Sequence, residues 1–460
     1  MINRHQPPIL SNHQGLLYDI KGGKKQWGVL VAVCRSWNII VMLLVILLAS
    51  STQAQDISLV GDTYPSTVSV GSQGADVKLL QEYLAQLSIY SGSIDGIFGP
   101  VTQISVKHFQ ARVFLPITGI VDNITWRNLR EALVRRPLIV GYYNSGGIYD
   151  SFPVLLEYGD VMTAIAPAWF WLENDGNING NIDAMAILTA RKKGVRVLGL
   201  ISNLRYDTST AKAQVQAVLQ DETFARKVIS NIIWLVDRFQ LDGINLDFEY
   251  VRPQDKTAFT NFVRNLGAQL HARGRWFTIS APAKTADIDF ANGFNGGFDY
   301  KALGQYADHL MLMAYDKHWA GGEPGPVAPF DWVNNVLAYA RKTMHPSKVV
   351  LALNAYGYDW HSGSERARAI TMRNVNDWAL AKGVNINWDS NYLVPYAIYT
   401  DAQGKKRQAW LENGDSIAHK MELVSRYSIA GFAWWRMGYE DQSFWHALQN
   451  RWPYPTGWRS

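Results

Sequence analysis

The sequence predicts a (β/α)₈ TIM barrel with a small α+β insertion, preceded by a small domain of three helices. From Leu138 onward, eight short apolar segments alternate with amphipathic helical patterns. The chain has 460 residues, of which 48% are apolar and 18% charged, so it suits two or three well-packed domains and argues against disorder. A doubly wound parallel sheet is the alternative architecture for the larger part.

The barrel domain is expected over residues 137–455. Its eight predicted strands are 138–143, 161–169, 195–201, 243–249, 276–283, 309–316, 349–357 and 429–435. The long gap between the seventh and eighth strands contains "YAIYTDAQGKKRQAWLE", which predicts a hairpin around Gly404. We therefore expect a small insertion at about 377–420 beside the barrel mouth.

The small helical domain is expected over residues 68–135. Three amphipathic segments, separated by turns rich in glycine, place large apolar residues on one face of each helix. These inward-facing residues are Val77, Leu80, Leu84, Leu87, Val106, Phe109, Trp126, Leu129 and Leu133. Residues 55–67 are polar and irregular and are expected to form a linker.

The first 54 residues have the pattern of a leader. They carry five Lys/Arg and one acid, followed by the apolar run "IIVMLLVILLA" at 39–49. Eleven apolar residues are short for a membrane span and normal for the core of a signal peptide. We expect export with cleavage before Gln55, and an uncleaved membrane anchor is the alternative.

Charge and cysteine content exclude several classes of function. The net charge of +5 lies mostly in the leader, so the folded part carries no basic footprint for nucleic acid. The one cysteine, Cys34, is in the leader as well. No Cys/His cluster has metal-ligand spacing, and neither HExxH nor a Gly-rich phosphate loop occurs, so we expect no metal and no cofactor.

The segment "LDGINLDFEY" at 241–250 carries the chemistry. Alternate residues of a strand face opposite sides, so Asn245, Asp247 and Glu249 share one face, and the apolar residues between them share the other. In a barrel the polar row would point inward, where it must be hydrogen-bonded or serve chemistry. Glu249 ends the row at the carboxyl end of the strand, where barrel active sites lie.

Two acids on one strand favour a mechanism in which one acid gives a proton to the substrate and the other acid supports the first. Asp247 and Glu249 would lie roughly 6.5 Å apart along the strand, on the same wall, rather than on either side of a scissile bond. Glu249 would protonate the leaving oxygen, and the charge of Asp247 would help keep Glu249 protonated. This arrangement leaves the nucleophile open, and a 2-acetamido group on the substrate itself is one candidate.

The helical segment resembles the peptidoglycan-binding domain found beside many wall-lytic enzymes. The resemblance lies in "DGIFGPVT", the Phe109-Gln110 pair and "TGIVDNITW". It implies a three-helix module that docks on cell-wall glycan or peptide. A helical spacer or pro-segment that binds nothing is the alternative.

The segment at 241–250 resembles the signature of glycoside hydrolase family 18, D-G-x-[DN]-x-D-x-E, with Asn at the variable position 245. "MAYD" at 313–316 and "GFAWWRMG" at 431–438 resemble two further motifs of that family. The resemblance implies that Glu249, Asp247 and Tyr315 are catalytic, with Tyr315 contacting the acetamido carbonyl. It also implies substrate binding by Asn245, Asp316 and Trp435, with Trp435 as the floor of the sugar site.

"NAYGYDW" at 354–360, "GGEPGPVAPFDWV" at 321–333 and "AWLENGDSIAHKMELV" at 409–424 resemble the spore-germination and cortex-lytic branch of the family. That branch acts on peptidoglycan containing N-acetylglucosamine. The sequence thus predicts an exported, monomeric wall hydrolase. A chitinase and an inactive glycan-binding protein are the alternatives, the latter disfavoured by the presence of Glu249.

Aromatic residues at strand ends are also candidates for sugar binding. Tyr356 and Trp319 are expected to line the site together with Trp435, because pyranose faces stack on flat rings. A purely structural role in the core is the alternative for such large aromatics.

Overall fold

The computed structural model describes residues 65–452 except 88, 113–114, 135–136, 287–293, 295 and 362–365. The predicted leader and its cleavage site lie outside the described residues. No helix in the described part of the chain is long and apolar enough to cross a membrane.

The small amino-terminal domain contains three helices, as predicted: α1 (Ala75–Gln86), α2 (Pro100–Arg112) and α3 (Asn123–Val134). The residues expected to face inward form one apolar cluster, in which Leu87 is only partly buried, apart from Leu133, whose side chain lies outside the described part of the chain. The fully buried members include Val77, Leu80, Leu84, Val106, Phe109, Trp126 and Leu129.

A buried glutamine fixes the turn between α1 and α2. The Gln81 side-chain oxygen accepts from the Gly96 N–H at 2.8 Å. Its amide nitrogen donates to the Ile97 carbonyl at 3.1 Å and lies 3.3 Å from the Thr102 hydroxyl. Gly96 has φ +74°, a conformation that other residues rarely adopt, so the glycine is required by the turn.

The same arrangement recurs between α2 and α3. The Gln110 oxygen accepts from the Gly119 N–H at 2.8 Å, and its nitrogen donates to the Ile120 carbonyl at 2.8 Å and approaches the Thr125 hydroxyl at 3.4 Å. Gly119 also has positive φ, +71°. The domain is therefore an internal repeat of one glutamine-clamped unit, G-I-x-x-x-x-T, which sequence analysis did not identify.

The larger part of the chain is a closed barrel of eight parallel strands, which confirms the predicted fold class. The barrel strands are β1 (Leu138–Tyr143), β2 (Ala164–Pro167), β5 (Arg196–Ser202), β6 (Gly243–Asp247), β7 (Trp276–Pro282), β8 (His309–Met313), β9 (Val349–Asn354) and β15 (Gly431–Trp435). In spatial order they run β2-β1-β15-β9-β8-β7-β6-β5, and β2 pairs with β5 to close the barrel.

Helices surround this barrel and bury their apolar faces against its outer surface. They are α4 (Phe152–Tyr158), α5 (Ala184–Lys192), α6 (Thr208–Gln220), α7 (Glu222–Phe239), α8 (Lys256–His271), α9 (Tyr300–Tyr306), α10 (Phe330–Thr343), α12 (Gly414–Arg426) and α13 (Gln442–Arg451). Short 3₁₀ turns lie at 159–161, 253–255, 346–348 and 372–374. A hairpin that was not predicted, β3 (Phe170–Leu172) and β4 (Ile178–Gly180), extends the sheet beside β5 at the barrel mouth.

The insertion between the seventh and eighth barrel strands is a five-stranded antiparallel sheet. It consists of β10 (Tyr356–His361), β11 (Arg368–Thr371), β12 (Asn387–Asp389), β13 (Val394–Thr400) and β14 (Lys406–Trp410), with helix α11 (Val375–Lys382). The hairpin around Gly404 is β13–β14. The sheet begins at Tyr356, well before the expected position 377, because β10 continues the apolar pattern of β9 without a visible break.

A buried ion pair joins the insertion to the barrel. Lys420 of α12 donates to both carboxylate oxygens of Glu412 at 2.6 and 2.7 Å, and both side chains are almost fully buried. Ser416 also donates to this carboxylate, at 2.6 Å. Burial raises the pKa of Glu412 and lowers that of Lys420. Because a single charge at this depth is strongly unfavourable, the pair fixes α12 against the end of the insertion.

The helical domain contacts the barrel at the amino-terminal end of the strands. Arg341, in the last turn of α10, donates to the Ala111 carbonyl of α2 at 2.8 Å and to the Tyr427 carbonyl at 3.2 Å. Residues of both domains line a cleft of about 630 Å³ there. They are Leu87, Ile89, His108 and Ala111 from the small domain, and Arg341, Glu422, Ser425, Arg426 and Arg451 from the barrel.

Candidate active site

Strand β6 separates its apolar and polar residues as its alternation predicts. Ile244, Leu246 and Phe248 are fully buried, and the Phe248 ring stacks on Phe262 of the surrounding helix α8 at 5.8 Å. The opposite face carries Asn245, Asp247 and Glu249. The apolar residues therefore build the wall between barrel and helices, and Asn245 points into the barrel, where it contacts Thr278, Ser280 and Met311.

Asn245 is satisfied by side chains inside the barrel. Its amide nitrogen donates to the Thr278 hydroxyl at 2.9 Å and lies 3.1 Å from the Met311 sulfur, and its oxygen accepts from Ser280 at 2.8 Å. Ser280 is 2.9 Å from the Tyr142 hydroxyl. Because the one Ser280 proton is given to Asn245, Tyr142 donates to Ser280. Asn245 is fully buried, and a direct contact between it and a sugar stays a prediction.

Asp247 and Glu249 lie at the carboxyl end of β6. Asp247 is the last residue of the strand, 8% exposed, and Glu249 follows two residues later, 1% exposed. Asn203, which follows β5 directly, bonds to the Glu249 backbone through both atoms of its side-chain amide, at 2.9 and 3.1 Å. The sequence predicted that the strand extends to Glu249, but β6 ends at Asp247. At Glu249 the side chain of Asn203 takes the place of the backbone partner that a neighbouring strand would supply.

The loop after β8 and strand β10 of the insertion meet at Asp316. Tyr356 donates to one Asp316 carboxylate oxygen at 2.7 Å, and Tyr358 lies 3.2 Å from the same oxygen. The Tyr315 ring makes an edge contact with Tyr356, with centroids 6.4 Å apart. The structure therefore brings together three predicted site residues, Tyr315, Asp316 and Tyr356, and adds Tyr358, which sequence analysis missed.

Trp435 ends strand β15 and is partly exposed. Its ring packs against Tyr142 with centroids 5.3 Å apart, so contacts lead from Trp435 through Tyr142 and Ser280 to Asn245. Trp319 lies in the loop after β8, half-buried, against Gly321 and Gly322. The described contacts join Trp319 to its own loop rather than to the other site residues.

The site residues missed by sequence analysis are of two kinds. Tyr142 and Ser280 stand on the inward face of β1 and β7, and strand parity alone could have found them once the inward face was known. Asn203 and Tyr358 gave no local signal, because the groups that they bind lie some 40 or more positions away in the chain.

Taken together, the carboxyl end of the barrel carries the buried acids Asp247 and Glu249 after β6, the tyrosine cluster at Asp316 after β8, and Trp435 at the end of β15. Two neighbouring carboxyl groups, one of them able to give a proton, are what a glycosidase uses to break a glycosidic bond.

The fold and these residues define a glycosidase built on a TIM barrel. The chain belongs to the glycosyl hydrolases family 18, whose family model matches residues 138–440. A peptidoglycan binding domain model matches residues 73–129.

Several of the similar proteins come from bacteria. The chain is 30% identical to the "uncharacterized glycosylase YvbX" of Bacillus subtilis, over 68% of this chain and 90% of that protein. The spore cortex-lytic enzyme SleL of Bacillus megaterium superimposes with a TM-score of 0.63 at 25% identity, covering 69% of this chain and 74% of that one. A chitinase of Chromobacterium violaceum superimposes with a TM-score of 0.62 at 28% identity, covering 70% of this chain and 100% of that one.

Another buried acid, Glu440, contacts the strand that carries the candidate sugar floor Trp435. Its carboxylate accepts from the indole N–H of Trp434, the neighbour of Trp435, at 3.3 Å, and Glu440 is 5% exposed. Burial raises the pKa of Glu440 from 4.5 to about 7, against the lowering effect of nearby backbone N–H groups and Trp434. Glu440 is therefore protonated in the folded chain under mildly acidic conditions.

This pKa predicts a pH-dependent loss of stability. As the pH rises above 4.5, the unfolded chain releases the Glu440 proton before the folded chain does, so folding becomes less favourable until about pH 7 and then levels off. Glu440→Gln removes the effect. We expect the variant to match the wild type in urea unfolding at pH 4 and to exceed its free energy of unfolding by up to about 3 kcal/mol at pH 8. An equal difference at both pH values would contradict the assignment.

Proposed function

We propose that this protein is an exported cell-wall glycosidase that cleaves β-1,4 bonds next to N-acetylglucosamine in peptidoglycan. The observation that carries the proposal is the presence, on one chain, of a family 18 barrel with Glu249 at its mouth and a peptidoglycan-binding module. The similarity to a spore cortex-lytic enzyme supports the same substrate. The leader pattern supports export, since peptidoglycan lies outside the cytoplasmic membrane.

The proposed first step uses the substrate's own acetamido group as nucleophile. Its carbonyl oxygen attacks C1 of the N-acetylglucosamine unit while the C1–O bond to the leaving sugar breaks. Glu249 gives its proton to the leaving oxygen. An oxazolinium ion forms, and Glu249 is left ionised. Asp247 orients the acetamido N–H and stabilises the positive charge that develops on the ring, and Tyr315 donates to the carbonyl oxygen.

In the second step water replaces the acetamido oxygen. Glu249 takes a proton from the water, the resulting oxygen attacks C1, and the oxazolinium ring opens to restore the acetamido group. Glu249 is then protonated again and ready for the next cycle. Because C1 is inverted twice, the product retains the anomeric configuration. Trp435 would support the sugar from below, and Asp316, held by Tyr356 and Tyr358, would bind a sugar hydroxyl.

Glu249→Gln tests this mechanism. Gln is nearly isosteric with Glu and can still hydrogen-bond, but it cannot give a proton to the leaving oxygen. We expect the variant to fold and to bind glycan while its activity falls by about 10²–10⁴-fold or more. NMR of the first product released by the wild type should show the retained anomer. An inverted product, or full activity in the variant, would overturn the proposal.

The choice between peptidoglycan and chitin can be tested by digesting both polymers side by side. We expect mass analysis to show new fragments with reducing N-acetylglucosamine ends from peptidoglycan, and at least tenfold slower release from chitin of equal N-acetylglucosamine content. Tenfold corresponds to about 1.4 kcal/mol of discrimination in the transition state. The Glu249→Gln protein is the matched control. Faster release from chitin would favour the second candidate, a chitinase, which the similarity to the Chromobacterium violaceum enzyme supports.

We also propose that the helical domain targets the enzyme and takes no part in the chemistry. It contacts the barrel through Arg341, at the end opposite to Glu249. Along α10 this separation is about 20 Å by helix rise. None of its residues is therefore expected to reach a bound sugar in the barrel mouth.

Deleting residues 55–135 tests the targeting role. We expect the truncated protein to sediment poorly with insoluble wall. Its kcat/KM on a small soluble N-acetylglucosaminide should stay within about twofold of the wild-type value, because the site lies at the other end of the barrel. Circular dichroism of the truncated protein is the control for folding. Equal sedimentation of both proteins would exclude targeting, and loss of soluble turnover in a folded truncation would show that the domain helps to build the site.

A further inference from the structure

The backbone of Glu249 lies beyond the hydrogen-bonded ladder on both sides. The last pair between β5 and β6 joins Ser202 to Asp247, and the last pair between β6 and β7 joins Leu246 to Ile279. Glu249 is nevertheless buried, so its N–H and C=O groups need partners within the protein.

Asn203 supplies both partners. Its Oδ1 accepts from the Glu249 N–H at 2.9 Å, and its Nδ2 donates to the Glu249 carbonyl at 3.1 Å. A side-chain amide presents one acceptor and a donor in nearly the same arrangement as a peptide group. The side chain of Asn203 thus acts as one additional rung of the β5–β6 ladder, placed at the residue that carries the candidate acid.

Asn203 is itself held in one orientation. The Nδ2 also donates to the Ala211 carbonyl in the first turns of α6, at 2.9 Å, and the residue is fully buried. The adjacent Lys212 ammonium lies 5.4 Å from the centroid of the Tyr250 ring. Strand β5, helix α6 and the segment at Glu249 therefore meet at this one amide.

The residue after Glu249 adds a reason for such a clamp. Tyr250 has φ +64°, a left-handed conformation that costs a non-glycine residue about 1–2 kcal/mol. A strained residue persists only where its surroundings fix it. Without the two bonds to Asn203, the segment from Glu249 to Tyr250 could relax and move the carboxyl group away from the scissile bond.

We propose that Asn203 is a positioning residue for the reaction: its amide fixes the backbone of Glu249, and thereby the direction of the carboxyl group, without touching the substrate. This inference rests on the proposed role of Glu249. A displacement of about 1 Å in a catalytic group can lower the rate by about 10²-fold, so the effect of Asn203 should appear in kcat and not in KM.

The test compares Asn203→Ala and Asn203→Asp with the wild type, in the full chain, on two soluble N-acetylglucosaminides. One substrate has an alkyl leaving group that needs a proton, and the other has a dinitrophenyl leaving group that does not. Asp keeps the acceptor for the Glu249 N–H and loses the donor, so it separates the two bonds. We expect kcat on the alkyl substrate to fall by about 10–100-fold with KM within about twofold, and the loss on the dinitrophenyl substrate to be several-fold smaller.

Asn231→Ala is the matched control. Asn231 donates its Nδ2 to the Gly176 carbonyl at 2.8 Å, which ties α7 to the β3–β4 hairpin outside the barrel. The substitution removes a similar amide-to-carbonyl bond that involves neither Asn203 nor Glu249, and we expect activity to stay at the wild-type level.

The deciding measurement is the effect of Asn203→Ala on the residual rate of the Glu249→Gln variant. If Asn203 acts through Glu249, adding Asn203→Ala to Glu249→Gln should change the residual rate by less than about threefold. An equal loss in both backgrounds, or equal losses on the two substrates, would show a general structural effect and overturn the proposal. If wild-type protein degrades neither polymer but cleaves the soluble substrates with these dependences, the proposed substrate fails and the role of Asn203 stands.

A measurement on the wild type covers the case in which both variants misfold. The Glu249 amide should be protected from hydrogen exchange as strongly as the amides of β6, although it lies outside the strand. Exchange at the rate of an open loop would overturn the proposal.

Discussion

The interior of a closed barrel admits polar side chains only when they hydrogen-bond to one another, and this constraint organises the catalytic end of the protein. Asn245 meets it through Thr278, Ser280 and Met311, which come from the two next strands. Tyr142 extends the same network to β1, where its ring supports Trp435. Asn245 therefore connects β6 to polar side chains of the next strands and, through Ser280 and Tyr142, to the candidate sugar floor at Trp435.

The insertion also contributes to the site through polar side chains that hydrogen bonds hold in place. Its first strand, β10, brings Tyr356 and Tyr358 to Asp316, and its far end is held by the buried pair of Glu412 and Lys420. A buried pair adds little net stability compared with apolar packing, but any other arrangement would leave a charge unpaired. We infer that the pair serves to give the insertion a single position, and with it the two tyrosines.

Sequence reasoning succeeded where a residue's environment follows from its neighbours in the chain. The eight strands and the inward face of β6 follow from local apolar alternation, and the hairpin at Gly404 follows from turn chemistry. It failed where partners are distant: Asn203 occupies a polar loop, and the residue it clamps lies 46 positions later. The glutamine-clamped repeat was missed for another reason. Its two copies share only a glycine, an isoleucine and a threonine at fixed spacing, and the meaning of Gln81 and Gln110 appears only in their hydrogen bonds.

The placement of the helical domain has a consequence for how the enzyme would meet an insoluble substrate. The domain and Glu249 lie at opposite ends of the barrel, so a glycan held by the domain does not enter the barrel mouth directly. Binding and cleavage would then act on different segments or different strands of the network, linked only by the rigid barrel between them. In that geometry the proposed targeting by the domain would raise the effective concentration of the active site near the wall without changing the chemical step. Its contribution should grow with the density of strands around the enzyme and vanish on short soluble substrates, which reach only one of the two sites.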